Sequence, residues 1–397
     1  MRIKRSSFLP LALLYAIIFM SRGGYFYYIG LYYSTLQLSN AEIGLLSSIG
    51  ALVGLVGQPL WGSITDYAPN KNRILQLTLL MTALAVCLLP LSGRNFLLLI
   101  LAAAFLGFFD NTVTPLSDSI AIELAHKSGF KFSVIRTIGS VGFAVMAALA
   151  GKIFARNILY LFVVFALFRL LAFLVSFLIP PVKGYRKEEK PARLWEIFQD
   201  KKLTYIYVYV FILSCTNGFF SSFHAIYSQE VGIGTELLGI GIALGSFSQF
   251  PFMLLFDRLY QRLGIVKILL ISGMIYSLRW FLYATALTPA TLLLLWALHG
   301  GTFIVLYLCL AEYVSTSVAP ELRTRGQMVN AMILTGISSI LGATGGGLCA
   351  QWIGVGSTFF LSALFSAGAV LSFYVLMKSL ARQNRETKNI KGAADSF

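Results

Sequence analysis

The chain has 397 residues, of which 57% are hydrophobic, 14% aromatic and only 12% charged. A soluble protein carries about 25% charged residues, so this composition excludes a soluble enzyme, a disordered protein and a nucleic-acid-binding protein that reads bases. The formal net charge of +15 resembles that of a nucleic-acid-binding protein, but the positions of the Lys and Arg residues point to another cause.

The four cysteines predict neither a disulfide framework nor a zinc site. Each of them lies in an apolar run, and no two form a CxxC pair. We therefore expect no metal and no other cofactor. The basic start, Met1–Arg5, leads into an apolar run too long for a signal peptide, and no small-residue cleavage site follows it.

Twelve apolar stretches approach the length of about 20 residues that a helix needs to cross a bilayer. The predicted spans are 8–33, 43–65, 74–92, 96–124, 136–154, 158–180, 203–228, 235–256, 265–287, 290–316, 327–351 and 356–377. The pattern predicts an all-α membrane protein with twelve transmembrane helices in two pseudo-symmetric six-helix bundles. The bundles would cover 1–180 and 203–380, with a cytoplasmic linker at 181–202 and a cytoplasmic tail at 381–397.

The distribution of basic residues orients these spans. With both termini in the cytoplasm, inside segments hold 24 of the 31 Lys and Arg residues, and the outside loops hold only three. The basic excess is therefore a signal of membrane topology, and we expect no nucleic-acid partner. We expect a monomeric, multi-pass protein of a bacterial cytoplasmic membrane.

A short pattern recurs in the two halves of the chain. Gly62 and Asp66 end span 2, and the basic residue Arg73 follows them. Asp257 and Arg258 end span 8 in the same way, 191 residues after Asp66. Two related six-span halves are the layout of many secondary transporters, which bind substrate near the membrane midplane. We interpret these five residues as conformational latches in cytoplasmic turns.

The GxxxD pattern with trailing basic residues resembles the loop 2–3 motif of major facilitator superfamily transporters. A narrower resemblance, over most of the chain, is to the lactose permease-like proton symporters and their relatives for nucleosides and phenylpropionate. Asp118 lies 18 residues before Arg136 and resembles that family's sugar-binding carboxylate–arginine pair. Arg279 and His299, twenty residues apart, resemble its coupling arginine and histidine.

The sequence also departs from that family. Thr302 stands where the family has its proton-carrying glutamate, and Ser246 where it has a sugar-contacting glutamate. Phe143 replaces the tryptophan that lines the family's cavity. The segment from Leu298 to Phe303 is closer to the phenylpropionate branch. The resemblance thus implies a proton symporter, but it leaves the substrate and the proton site open.

Charges at membrane depth cost roughly 2.5–3.5 kcal/mol each on insertion scales, so they usually face a cavity or a partner. Arg22, near the middle of span 1, is either a cation that binds substrate or one member of an ion pair with Asp110 or Asp118. Asn111, Thr114 and Asp118 share one face of span 4 by their spacing. We predict that Asn111 and Asp118 contact the substrate, and that Asp110 carries a proton or pairs with Arg22.

The other candidates also have two interpretations. Arg136 either pairs with Asp118 or snorkels to the membrane edge. Arg279 and His299 lie on consecutive antiparallel spans and can share an aqueous pocket, in which His299 changes charge, although a buried histidine can also be structural. Glu312 is either a coupling acid or the partner of Arg323 or Arg325. Arg169 is interpreted as structural.

These patterns predict a secondary active transporter that moves a small polar organic solute by alternating access, driven by protons. The solute would be an aromatic or other organic carboxylate, a sugar or a nucleoside. The predicted substrate-binding residues are Arg22, Asn111, Asp118, Arg136, Phe143 and Arg279, and the predicted proton-coupling residues are Asp110, Asp118, His299 and Glu312. A proton-coupled multidrug efflux antiporter is the alternative, since the chain is rich in aromatic residues. No catalytic pattern indicates an enzyme.

Overall fold

The computed structural model describes residues 8–184, 198–285, 288–318 and 322–394. Almost all of this part of the chain is helical. The helices are Phe8–Gly23, Ile29–Thr35, Asn40–Tyr67, Lys71–Leu91, Phe96–Ser128, Phe132–Arg156, Tyr160–Ser176, Lys201–Glu230, Thr235–Thr285, Pro289–Ala297, Phe303–Ser317, Arg323–Ala331, Ile337–Ile353 and Val355–Ala394.

Twelve spans follow from these helices. Nine helical segments in the described residues are long and apolar enough to cross a membrane. One of them, Thr235–Thr285, contains a non-helical Gly264 with φ of +70° and therefore supplies spans 8 and 9. The shorter apolar helices Phe8–Gly23 and Tyr160–Ser176 supply spans 1 and 6. The predicted all-α membrane fold is confirmed.

Polar side chains fix several helix starts. Ser39 and Glu42 form a reciprocal capping box at the start of span 2. Asn95 caps span 4, Asp200 caps span 7 and Thr288 caps span 10. Because these caps satisfy backbone N–H groups that have no partner within the helix, each span begins where the sequence turns from polar to apolar.

Span 1 is interrupted within its predicted range of 8–33. The helix ends at Gly23 and restarts at Ile29, after a series of turns. A Cβ at Gly23 would meet the backbone carbonyl of Phe143 in span 5, so only glycine permits this approach. The interruption places Tyr27 between the two helical pieces.

Span 10 is also interrupted, and the break carries His299. Residues Leu298–Gly301 form a 3-10 turn, and Thr302 leaves helical geometry before span 10 resumes at Phe303. The turn packs on span 8, because the Gly300 N–H donates to the Ser248 hydroxyl at 2.9 Å. A short π-helix at Met332–Gly336 similarly interrupts span 11.

The spans pack as two six-helix bundles. In the first half, span 1 packs on spans 5 and 6, and span 4 packs on spans 2 and 3. In the second half, span 7 packs on spans 11 and 12. The halves meet mainly where span 2 contacts span 11 and where span 5 contacts span 8.

The contacts between the halves concentrate at one end of the bundle. We call the end where span 1 begins and span 12 ends the termini end, and the opposite end the distal end. Near the distal end, a Cβ at Gly347 would lie 3.0 Å from Gly44, and a Cβ at Gly239 would lie 2.8 Å from Gly151. Towards the termini end, residues 62–64 of span 2 and 253–255 of span 8 are exposed. Because these glycines have no Cβ, the two halves pack closely against each other and close the distal end.

The linker is described only in part. The backbone of Lys71 donates to the Val182 carbonyl at 2.8 Å, and the Asn72 amide donates to the carbonyls of Ile179 and Pro180, both at 3.0 Å. These bonds tie the start of the linker to the first turn of span 3. Residues 185–197 of the predicted linker lie outside the described residues. The domain boundaries stay a prediction, and the helix of span 12 continues to Ala394.

The closed distal seam predicts a specific cross-link. The hydroxyls of Ser48 in span 2 and Thr344 in span 11 are 2.7 Å apart across the two halves. In a background without the native cysteines, the double variant Ser48→Cys/Thr344→Cys should form a disulfide on mild oxidation, because each sulfur takes the place of a hydroxyl oxygen that is already in contact with the other. Non-reducing electrophoresis after cleavage in the linker detects it.

The two single variants are the matched controls and should separate into halves after the same cleavage. Failure of the double variant to cross-link under oxidation would contradict the closed distal seam.

Candidate functional site

Asp110 in span 4 joins three spans through two arginines. The buried guanidinium of Arg169 in span 6 donates to one carboxylate oxygen, and Arg22 in span 1 lies 3.3 Å from the other. Arg22 also donates to the hydroxyl of Thr114 at 3.1 Å. The Arg22 side chain stays 30% exposed, whereas Arg169 is fully buried and packs on the Phe165 ring. One carboxylate thus pairs with two guanidinium cations in this network.

Asp118 and Arg136 form an ion pair, which is one of the two interpretations of Arg136. Arg136 lies 3.4 Å from an Asp118 oxygen, and the buried Tyr15 hydroxyl donates to the same oxygen at 2.6 Å. The guanidinium of Arg136 also lies over the Phe19 ring at 4.7 Å. The two charged side chains are 42% and 29% exposed, so a ligand can still reach both of them. A polar ligand that bridges this pair would replace a single long ion contact.

Two predicted substrate contacts have other neighbours. The Asn111 amide donates to the backbone carbonyl of Gly50 in span 2 at 2.7 Å and to that of Gly107 at 2.9 Å. The first bond links spans 2 and 4, and the second lies within span 4. Phe143 lies against Tyr27, with ring centroids 6.3 Å apart. The structure therefore places Phe143 beside the break in span 1 and Asn111 in the packing between spans 2 and 4.

Arg279 and His299 are in direct contact, as their spacing implies. An Nη1 group of Arg279 donates to Nδ1 of His299 at 3.0 Å, and its Nε group donates to the Leu295 carbonyl at 3.0 Å. Both side chains are buried. The aromatic rings of four residues surround the guanidinium within 6 Å: Phe220, Trp280, Tyr283 and Trp296.

His224 in span 7 is a neighbour that sequence reasoning missed. It is fully buried, and its ring lies 5.3 Å from Trp296 and 5.0 Å from Tyr27 of the opposite half. A histidine inside a predicted span was the available signal, but no spacing tied it to another polar residue. Only the packing of spans 1, 7 and 10 brings these side chains together.

The remaining candidates lie near the termini end, apart from these groups. Asp66, Arg73, Asp257 and Arg258 are exposed, and Gly62 has open space where a Cβ would lie. No ion pair within the described part of the chain joins these residues. Arg323 donates to the Val318 carbonyl at 3.1 Å rather than to Glu312, and the Arg325 side chain lies outside the described residues.

Residues 8–361 match the family model described as MFS_1 like family. The chain belongs to this family. It is therefore an integral, multi-pass membrane protein of the major facilitator type, as the sequence motifs implied.

Similar proteins cover nearly the whole chain. The maltose permease of Geobacillus stearothermophilus is 29% identical over 378 residues, which are 92% of this chain and 93% of that protein. The "Probable 3-phenylpropionic acid transporter" of Escherichia coli (strain K12) is 26% identical and covers 91% of this chain and 95% of its own length. The "Uncharacterized transporter YwbF" of Bacillus subtilis (strain 168) is 26% identical over 94% of both chains.

Solved structures share the fold at lower identity. The nucleoside transporter NupG superposes with a TM-score of 0.82 at 18% identity and covers 95% of this chain and 100% of that one. A bacterial homolog of the human lysosomal transporter Spinster, solved in an inward-facing and unoccupied conformation, superposes with a TM-score of 0.71 at 17% identity, over 94% of this chain and 97% of that one. At these identities the likeness concerns the fold alone.

Loss of the Asp110 carboxylate should destabilise the protein. In Asp110→Asn, the buried Arg169 cation has no counter-charge, and breaking a buried pair in this way costs about 3–5 kcal/mol. We expect a lower melting temperature and a lower yield of folded protein in detergent, measured by thermal unfolding. Asp66→Asn, at an exposed aspartate, is the control and should melt like the wild type. Equal stability of the two variants would contradict the structural role of Asp110.

The Asp118–Arg136 pair should be needed for transport rather than for folding. Both side chains are partly exposed, so Asp118→Asn and Arg136→Gln should each abolish solute uptake while the amount and melting temperature of the protein stay close to wild type. Uptake of a labelled solute, normalised to protein in the membrane, checks this. Wild-type rates in both variants would remove the pair from the binding site.

Proposed function

We propose that this protein is a secondary active transporter that moves a small polar organic solute across the membrane together with protons. The observation that carries the proposal is the placement of charged groups on both halves of a two-bundle fold that is sealed at its distal end. Separation at the distal end and closure at the other would expose the same groups to the opposite side. The names of similar proteins, which are permeases and transporters, support this proposal.

The balance of charge favours an anionic solute. The network in the first half holds three arginines for two aspartates, namely Arg22, Arg136 and Arg169 for Asp110 and Asp118. In the second half, no carboxylate of the described residues pairs with Arg279. A small aromatic or other organic carboxylate would offset this excess. A sugar or a nucleoside, which the names of the maltose permease and NupG suggest, is the second choice.

The same excess of cations argues against the efflux alternative. Multidrug transporters commonly handle amphipathic cations, and the arginines at this site would repel them. We further propose that both termini lie in the cytoplasm, because the basic residues concentrate at the termini end. With that orientation, the described conformation is closed to the outside. Solute, protons and the lipid bilayer are then the partners of a monomeric protein in a bacterial cytoplasmic membrane.

A pH trace tests proton symport. De-energised cells that express the protein are suspended in weak buffer, and benzoate, 3-phenylpropionate, maltose and nucleosides are added one at a time. Alkalinisation of the medium with one compound is the expected result, because protons enter with the solute. Cells that express Asp118→Asn correct for the passive entry of undissociated acids. Labelled uptake of the same compounds without alkalinisation would contradict proton coupling, and no uptake of any compound would contradict the transport of these classes.

A further inference from the structure

The buried polar groups around Arg279 lack the partners that a closed core normally supplies. In the described part of the chain, Nη2 of Arg279 and Nε2 of His224 are buried without a hydrogen bond of normal length, and the Tyr283 hydroxyl faces the same guanidinium. Unpaired buried polar groups are rare in native proteins and need an explanation. Arg279 and His224 belong to spans 9 and 7, and both lie against the rings of Phe220 and Trp296.

Arg279 is a buried cation without a counter-anion. No carboxylate of the described residues is within ion-pair distance, and its two hydrogen bonds go to the Leu295 carbonyl and to His299. The aromatic rings at 4.3–5.8 Å stabilise the cation, but they do not neutralise it. The free Nη2 donor therefore has the properties of a site that receives an anion.

The hydrogen bonds define the protonation of both histidines. A guanidinium has only donors, so Nδ1 of His299 must accept, and this ring is neutral while the bond lasts. In His224, Nδ1 faces the Phe220 carbonyl at 2.9 Å and must donate. Nε2 of His224 is then the ring atom with a free lone pair. It is the position at which a proton can add without breaking any described hydrogen bond.

Among the described residues, the ring and hydrogen-bond partners of His224 include no acid. Tyr27 faces it from span 1, Phe220 from its own span, and Trp296 from span 10, with His299 and the Arg279 cation beside the same two rings. A positive guanidinium in this apolar setting opposes a second positive charge on the imidazole. An anion bound to Arg279 removes that opposition.

We propose that Arg279 binds the anionic group of a small organic acid and that Nε2 of His224 takes up the proton that is transported with it. The inference rests on the proposed proton symport and names the anion site and the proton acceptor within it. The anion neutralises Arg279 and so lowers the electrostatic cost of adding a proton to the neighbouring His224. Each then strengthens the binding of the other by the same factor.

The other groups predicted to carry a proton are less suited to this step. Asp110 is already paired with two arginines, Arg22 and Arg169. His299 can accept a proton at Nδ1 only if Arg279 moves away. Glu312 lies towards the termini end, beyond the break in span 10.

Tyr27 closes this site from the first half. Its ring lies 5.0 Å from His224, 5.6 Å from Trp296 and 6.3 Å from Phe220, all of which belong to the second half. Separation of the halves at the distal end would withdraw Tyr27 and open the site to that side. The anion and the proton would therefore enter together.

Calorimetric titration of the purified protein in detergent tests the proposal. The probes are benzenesulfonate, which stays anionic, benzoate and 3-phenylpropionate, each titrated at about pH 7 in buffers of different ionisation enthalpy. The wild type should take up about one proton per bound anion, and the affinity should rise as the pH falls, by up to about tenfold per pH unit. Arg279→Gln should not bind the probes.

His224→Asn separates the proposal from a structural role of this histidine. The asparagine amide can keep the bond to the Phe220 carbonyl, so the variant should fold and still bind the probes, but it should take up no proton. His126→Asn is the matched control, because His126 is exposed at the termini end. It should behave like the wild type. If His224→Asn fails to fold, His224→Gln replaces it, with the same expected result.

Two results would overturn the proposal. Proton uptake that is unchanged in the His224 variant would remove His224 as the acceptor, and absence of binding of all three probes to the wild type would remove the anion site. Uptake of maltose or a nucleoside with protons would then leave the proposed transport function standing. Absence of any solute uptake would instead contradict the function itself.

Discussion

The cost of placing charge inside an apolar bundle governs the arrangement of this protein. Water is scarce at the depth of Arg22, Asp110 and Arg169, so each charge must find a partner within the protein. Asp110 supplies that partner for both arginines and thereby joins spans 1, 4 and 6. These two ion pairs hold spans 1, 4 and 6 of the first half together, because one carboxylate reaches both guanidinium groups.

The two halves stabilise their buried arginines in different ways. The first half pairs its arginines with aspartates and leaves Arg22, Asp118 and Arg136 partly exposed. The second half surrounds Arg279 with aromatic rings and gives it a neutral histidine. Paired charges tolerate contact with water in either conformation, whereas a cation without a counter-ion has a strong preference for an anion. This asymmetry suits a protein that must bind a solute and then release it.

Breaks in two helices position Tyr27 and His299. The break in span 1 turns Tyr27 towards the second half, and the 3-10 turn in span 10 holds His299 against Arg279. Glycines make both breaks possible, since Gly23 and Gly300 approach the backbone of a neighbouring span where a Cβ would clash. A regular helix would have continued past these positions and presented other side chains.

The sequence by itself determined the class, the number of spans and the pairs whose spacing along neighbouring helices is regular. Hydropathy and the positions of basic residues were sufficient for the class and the spans, because these depend on helix length, and the family resemblance pointed to Asp118 with Arg136 and to Arg279 with His299. The contacts of Asp110 with Arg169, the use of Asn111 in packing and the position of His224 beside Tyr27 were decided only by the tertiary structure. Those contacts join spans that are not consecutive, and the contact of His224 with Tyr27 also depends on the break in span 1, which hydropathy does not reveal.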